Sequence, residues 1–542
     1  MQPTRRASLG LLLAAVTSIW LVSARGPAPG QPEPTELPEL DYDRDFFPGP
    51  EYDPAVPQPE ECLGFELGSR AAFPHEIESC LAAWAEASER AHLEEYARSH
   101  EGRALYTMVL TSPANHARLD EIRAGWARLA DPRGVSREEL SELVDALPAV
   151  AWMAYSIHGD ETSGSDAALA VVHHLAAGRG PAIEALLEEL VMVIDPMQNP
   201  DGRNRFLQMI AEHRSAQPNL DDQSLIHGGY WPWGRTNHYG FDLNRDWILG
   251  VNPESRGRIR AAGDWNQVLM VDAHEMGSQN TYLFSPQREP HSPFVSAAAK
   301  KWGPVFADDQ AATFDERGWV YYTGEWNEGW YAGYTDAWGE LRGVVGILYE
   351  QAGFAEDGVR RPEGTIHTYR EAVHHQAISS LANLETLRAN AGEIKRAFLA
   401  DRLAAVDPRG PWADRTFAVL PTANRGRLDR FLDLMRLQGI ELYTVDEPLV
   451  ADSAVDQLGR RQRRVTVPAG SVLIPNRQPL ARLVAAMLEF DPRMPDDYLR
   501  RERKQILRTG DSSIYDVTAW NLTMMHGLAA LSLDAGLPAS AT

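Results

Sequence analysis

The chain has 542 residues, 44% of them hydrophobic and 24% charged, with a formal net charge of −24. This length exceeds one ordinary domain, so two folded units plus a leader are expected, with the balance of a folded rather than a disordered chain. The acidic excess excludes a broad nucleic-acid surface, which needs clustered Lys and Arg to displace phosphate counterions.

Residues 1–24 read as an export signal: Arg5 and Arg6, an uncharged run from Leu9 to Val22, then Val22-Ser23-Ala24 as a small-residue cleavage site. The run is shorter than the ~20 residues a membrane span needs. No stable membrane insertion is therefore expected once the signal is removed, and the expected location is secreted or periplasmic. Residues 25–60 are rich in Pro, Glu and Asp and read as an extended, semi-rigid tether. The only cysteines are Cys62 and Cys80, and their sequence positions leave both a single disulfide and two free thiols open.

From about residue 74 helical and apolar strand patterns alternate. Ile77 to Ala91 has helical spacing, Leu105 to Leu110 is strand-like, Val150 to Ile157 is an apolar strand and Ser165 to Ala177 an apolar helix. Residues 118–147 read as a helical excursion. Leu190 to Ile194, Val268 to Val271 and Val344 to Leu348 are further apolar strands, and a long helix from about Thr365 to Ala405 closes the unit. Continuous apolar strands separated by helices indicate an α/β fold, with a mixed, mainly parallel central sheet sandwiched by helices over residues 61–406. The pattern restarts after Asp407-Pro408-Arg409-Gly410, predicting a smaller α/β domain over 411–542 with no catalytic cluster of its own.

Three His-x-x-Glu pairs occur: His75/Glu78, His92/Glu95 and His158/Glu161. The first opens a helix and the second sits on an edge strand amid charges, so both read as surface groups. His158/Glu161 directly follows the apolar run ending at Ile157, where a loop at a buried strand end is rigidly held yet reachable. A hydrolytic zinc takes three protein ligands and keeps one position open. His274, at the end of Val268-Leu-Met-Val-Asp272-Ala-His274, is the candidate third ligand. Glu350, at the end of Gly343-Val-Val-Gly-Ile-Leu-Tyr-Glu350, is a carboxylate at another strand end, where burial is costly unless it is used.

His158, Glu161 and His274 in this order, with Asn199-Pro200-Asp201-Gly202, Arg235-Thr-Asn and Gly240-Phe-Asp242-Leu-Asn244-Arg245-Asp, resemble the zinc carboxypeptidase family, the carboxypeptidase A and B relatives. The resemblance spans about residues 70–400 and implies one zinc ion per chain. It implies Asn244 and Arg245 as holders of a substrate carboxylate, Arg235 as oxyanion donor, Glu350 as general base and Asp242 as the partner of a ligand histidine. Tyr331 and Tyr334 are the candidates for the family's active-site tyrosine. The expected activity is hydrolysis of C-terminal peptide bonds in a peptide or peptide-like substrate with a free carboxylate. Amide hydrolysis of peptidoglycan peptides or acylated amino acids is the alternative, with a non-catalytic binding protein a third.

Overall fold

The computed structural model describes residues 40, 42–515, 517, 519–538 and 541. The export signal read over 1–24 lies outside them. Among the described residues no helix is long and apolar enough to cross a membrane.

The centre is an eight-stranded mixed sheet. Its order is Ala91–Arg98, Ala104–Leu110, Leu190–Asp195, Ala149–Tyr155, Leu269–Met276, Val345–Ala352, Tyr282–Phe284, Tyr322–Thr323. The four middle strands run parallel. Three of them are buried along their whole length and the fourth, Leu269–Met276, along all but its last residue, which explains their unbroken apolar sequence. Alternation along Val345–Ala352 shows that both faces are covered. The Tyr349 hydroxyl meets Ser380 on the long helix Tyr369–Val406, whereas Gly346 lies against Asp336 and Glu340 of the helix Thr335–Leu341. The helix Ser163–Ala177 is buried throughout and packs against the long helix.

The expected tether does not extend to residue 60. Glu51–Tyr52 pairs antiparallel with Gly178–Arg179, the Tyr52 hydroxyl lies 3.0 Å from His174 Nδ1, and Val56 is buried. Phe46, Phe47 and Tyr52 among the prolines supply apolar surface that packs on the core. Cys62 and Cys80 are free thiols, Cys62 half-buried and Cys80 buried.

The C-terminal residues build a six-stranded antiparallel sheet, ordered Tyr443–Thr444, Val472–Pro475, Thr416–Val419, Ala530–Leu533, Leu449–Asp456, Arg461–Val467. The helices Arg425–Leu437 and Ala481–Leu488 bring its apolar surface into the same core as the larger sheet. Tyr42–Thr542 is accordingly one compact unit.

Candidate metal centre and active site

The site gathers at the carboxyl ends of the parallel strands, where loops leave the sheet. His158 lies in the turn after Ala149–Tyr155, entered through Ser156 with φ 53°. His274 and Glu350 are register partners on adjacent parallel strands, so their side chains share one face. That face is the one covered by Thr335–Leu341.

The Nδ1 atoms of His158 and His274 each lie 2.7 Å from a different oxygen of Glu161, and one donor atom from each of the three residues falls within 4.8 Å of the others. All three are buried. The far side of each imidazole is also held: His158 Nε2 lies 3.0 Å from Asp242 and His274 Nε2 2.8 Å from Asp272. A carboxylate on Nε2 fixes the proton there and directs the Nδ1 lone pair at the shared point. Two imidazole nitrogens and one carboxylate converging beside an open cavity are the donor set of a catalytic zinc. The charges agree. Burial pushes the Glu161 carboxyl up, but the two imidazoles outweigh it and hold it well below the usual carboxylate range. Burial pushes His274 down, yet Asp272 and Glu161 raise it well above the ordinary histidine value. Anionic groups crowded around two imidazoles favour a positive charge at this point, which a divalent cation supplies.

Close approach of three backbone segments sets the His158–Glu161 turn. A Cβ on Gly159 would stand 2.1 Å from the Arg203 backbone nitrogen, and one on Gly202 would stand 2.3 Å from the Gly234 carbonyl oxygen. Asn199 caps the helix Pro200–His213 through Gly202 N–H and donates to the Arg235 carbonyl at 3.1 Å. The Asn-Pro-Asp-Gly motif thereby ties the ligand turn to the Arg235 segment.

The three ligand residues line a cavity of about 230 Å³ together with Arg235, Asn244, Arg245, Glu275, Met276, Trp326, Asn327, Tyr334, Leu348, Glu350 and Tyr515. Glu350 Oε2 is buried without a hydrogen-bond partner among the described residues. Burial pushes its carboxyl up to about 8; His274 pulls it down and Glu161 pushes it further up. Arg235 lies 3.3 Å from His158 Nδ1 and donates to Asp242 Oδ2 at 3.1 Å. The Arg245 guanidinium sits 3.5 Å from Asp242 Oδ2 and 4.7 Å from the Tyr334 ring centre.

Two expected substrate contacts are placed differently. Asn244 is buried, with its amide nitrogen 3.0 Å from Asp272 and 2.8 Å from His274 Nε2, while its oxygen accepts from Thr335 N–H and Oγ1. Its hydrogen-bonding capacity is spent on holding the His274 pair. Tyr331 is also buried, donates from its hydroxyl to the Arg245 carbonyl at 2.9 Å and supports that residue from behind. The sequence reading assigned no role to Asp272, although an acidic residue two positions before a strand-borne ligand shares its face and was a usable signal. Glu275 was also given none. It accepts from Ser163 N–H at 2.6 Å, where it meets the amino end of the helix Ser163–Ala177, and burial pushes it up to about 8. Nothing in the local sequence marks Trp326 or Tyr515.

Fold and site together bring a His/Glu/His donor set, of the kind that holds a single catalytic zinc, to the carboxyl ends of the parallel strands. Residues 77–301 match the zinc carboxypeptidase family model. That segment, which holds all three candidate ligands, is similar to the zinc carboxypeptidase family. No curated protein matches it. Among solved structures, a metallo-carboxypeptidase from Burkholderia cenocepacia is similar at 16% identity and a TM-score of 0.40, covering 58% of this chain and 69% of that one. Carboxypeptidase A from Helicoverpa armigera is similar at 15% and 0.38, covering 63% and 80%. A metallo-carboxypeptidase from Pseudomonas aeruginosa, in complex with (2-guanidinoethylmercapto)succinic acid, gives 13% and 0.36, covering 58% and 68%.

Proposed function

We propose that the protein is a metallocarboxypeptidase that removes C-terminal residues from peptides, with Glu350 as general base. The observation that carries this reading is the unpartnered, buried Glu350 oxygen, register-paired with His274 and facing the same cavity as Arg235 and Arg245. Zinc held by His158, Glu161 and His274 would polarise the scissile carbonyl and acidify a water. Glu350 takes the proton from that water and returns it to the leaving amine. Arg235 supplies a fixed cation for the negative charge that develops on the carbonyl oxygen. Arg245 forks onto the substrate's terminal carboxylate, and Asp242, 3.5 Å away, keeps the guanidinium in position. Asp242 and Asp272 hold the ligand imidazoles in one tautomer. Asn244 acts here as a positioning residue for His274.

The test is release of amino acids from peptides with free and amidated C-termini, alongside acylated amino acids and peptidoglycan peptides, with and without zinc. The expected outcome is zinc-dependent release that requires the free carboxylate, and Glu350→Gln lowers kcat by roughly 10²–10⁴-fold while zinc is still bound. Turnover confined to the acylated or cell-wall substrates would replace the general carboxypeptidase reading. Full activity in Glu350→Gln would overturn the role of the base.

A further inference from the structure

Exposed aromatic rings are concentrated in one loop beside the catalytic cavity. Among the described residues six large aromatic side chains are exposed, and five of them, Tyr230, Trp231, Trp233, Tyr239 and Phe241, share this loop, the sixth being Tyr515. Trp231 is 73% exposed, Tyr239 66% and Trp233 50%, although tryptophan is mostly buried in folded chains. Scattered exposed rings need no explanation, whereas rings gathered in one place mark a binding surface.

The backbone that carries these rings is fixed. Arg205 of the helix Pro200–His213 donates to the Trp233 carbonyl at 2.6 Å and to the Thr236 carbonyl at 2.7 Å, so one guanidinium holds two turns side by side. In the first turn Trp233 N–H donates to the Tyr230 carbonyl at 2.7 Å, and Trp233 keeps a φ of 49°, a costly conformation for so bulky a residue. In the second, the buried Asn237 side chain accepts from the N–H groups of Tyr239 and Phe241 at 3.1 and 3.0 Å. The loop borders the metal site directly. Gly159 N–H, inside the His158–Glu161 turn, donates to the Gly234 carbonyl at 3.1 Å, and Arg235, the next residue, lines the cavity.

Polar groups stand at the margins of the rings. The Tyr230 hydroxyl donates to Glu212 at 3.1 Å, and His238 Nδ1 lies 3.0 Å from Glu101. His100 and His238 meet the Tyr239 ring edge-on, with centres 4.7 and 4.6 Å away. Aromatic faces carry partial negative charge. A pyranose matches both features, because the C–H face of its ring stacks on an aromatic face and its hydroxyls donate to carboxylates at the edge. Glu101 and Glu212, in a chain of net charge −24, oppose docking on an anionic lipid surface.

We propose that the loop 230–241 is a sugar-binding shelf for a neutral pyranose chain, so that the substrate delivered to the cavity is a glycan-linked peptide. The identity of that substrate rests on the carboxypeptidase reading of the cavity, whereas the shelf stands on its own rings.

Titration calorimetry on the full-length protein uses neutral oligosaccharides of N-acetylglucosamine, glucose, mannose and galactose. Kinetics of the zinc-loaded protein then compares a peptide with a free carboxylate with the same peptide carrying the best-bound sugar a few residues before its C-terminus. At least one oligosaccharide is expected to bind, and the attached sugar to lower KM about tenfold with kcat within about twofold, as for stacking on more than one ring. Trp231→Ala and Tyr239→Ala should each weaken the oligosaccharide several-fold and remove most of the KM advantage, with the bare peptide cleaved as by wild type. Leu507→Ala, at an exposed apolar residue of the helix Asp496–Thr509, should change neither. Binding of none of the oligosaccharides, or a sugar advantage untouched by both substitutions, would overturn the proposal and leave peptide cleavage standing. Binding to phosphatidylglycerol vesicles that is lost in Trp231→Ala, with no sugar bound, would assign the rings to a membrane instead. Oligosaccharide binding that depends on Trp231, in a protein that cleaves neither peptide, would overturn the carboxypeptidase reading and keep the shelf.

Discussion

Asp272 illustrates how one side chain conditions the chemistry of another. It is 1% exposed and lies 2.8 Å from His274 Nε2, with the Asn244 amide nitrogen 3.0 Å from the same oxygen. Without it, the imidazole is free to take the other tautomer, in which Nδ1 carries the proton and cannot ligate. Asp272→Ala is expected to weaken zinc affinity by roughly 10–100-fold, the usual effect of removing such a partner, as measured by competition with a chromophoric chelator. Asp242→Ala should weaken zinc comparably and also lower kcat, because Asp242 additionally holds Arg235 and Arg245. Equal zinc affinity in Asp272→Ala and wild type would show that the ring keeps its ligating tautomer without this carboxylate.

Sequence legibility varied with how local each element's cause is. The parallel strands were readable because burial on both faces requires an unbroken apolar run, as in Leu190–Asp195, and such a run occurs where little else produces it. The ligand turn was readable because His158 and Glu161 follow one of these strands. The hairpin Leu449–Asp456 with Arg461–Val467 went unread: its outer strand is exposed at most positions and carries three arginines, so its sequence has no apolar alternation to detect. The internal partners of Asn244 and Tyr331 went unread because residue type reports which hydrogen bonds a side chain can make, but not which groups it makes them with. At this scale the least obvious requirement is Gly159. A Cβ there meets the Arg203 nitrogen at 2.1 Å and the Gly202 carbonyl carbon at 2.3 Å, both backbone atoms that cannot swing aside. Gly159→Ala must therefore separate the His158–Glu161 turn from the helix Pro200–His213. The expected result is loss of zinc binding out of proportion to any loss of far-ultraviolet circular dichroism. A variant that binds zinc normally would show that the turn relaxes without moving its ligands.

Across the whole molecule, the two sheets are joined by a continuous line of hydrogen bonds that ends at the metal centre. Gln438, which follows the helix Arg425–Leu437, accepts from Trp338 Nε1–H at 2.9 Å and donates to the Trp247 carbonyl at 2.6 Å. Trp247 Nε1–H donates to Thr335 Oγ1, Thr335 donates to Asn244, and the Asn244 amide donates to Asp272, which holds His274 Nε2. Arg402 of the long helix adds a second tie, donating to the carbonyls of Arg342 and Pro479. A C-terminal part joined this way is not an independently melting appendage, and zinc, which binds only the folded state, should stabilise all of it by mass action. Calorimetry is expected to show one transition for residues of both sheets, and zinc should move that transition upward as a whole. Gln438→Leu leaves the Trp338 N–H and the Trp247 carbonyl buried and unpaired, at a cost of about 1–3 kcal/mol each. The single transition should fall by a few degrees, and zinc affinity should fall with it because the same line of bonds orients Asn244. A separate early transition for the C-terminal part, with zinc affinity untouched by Gln438→Leu, would show that the two sheets are merely adjacent and that the metal centre is set by its own strands alone.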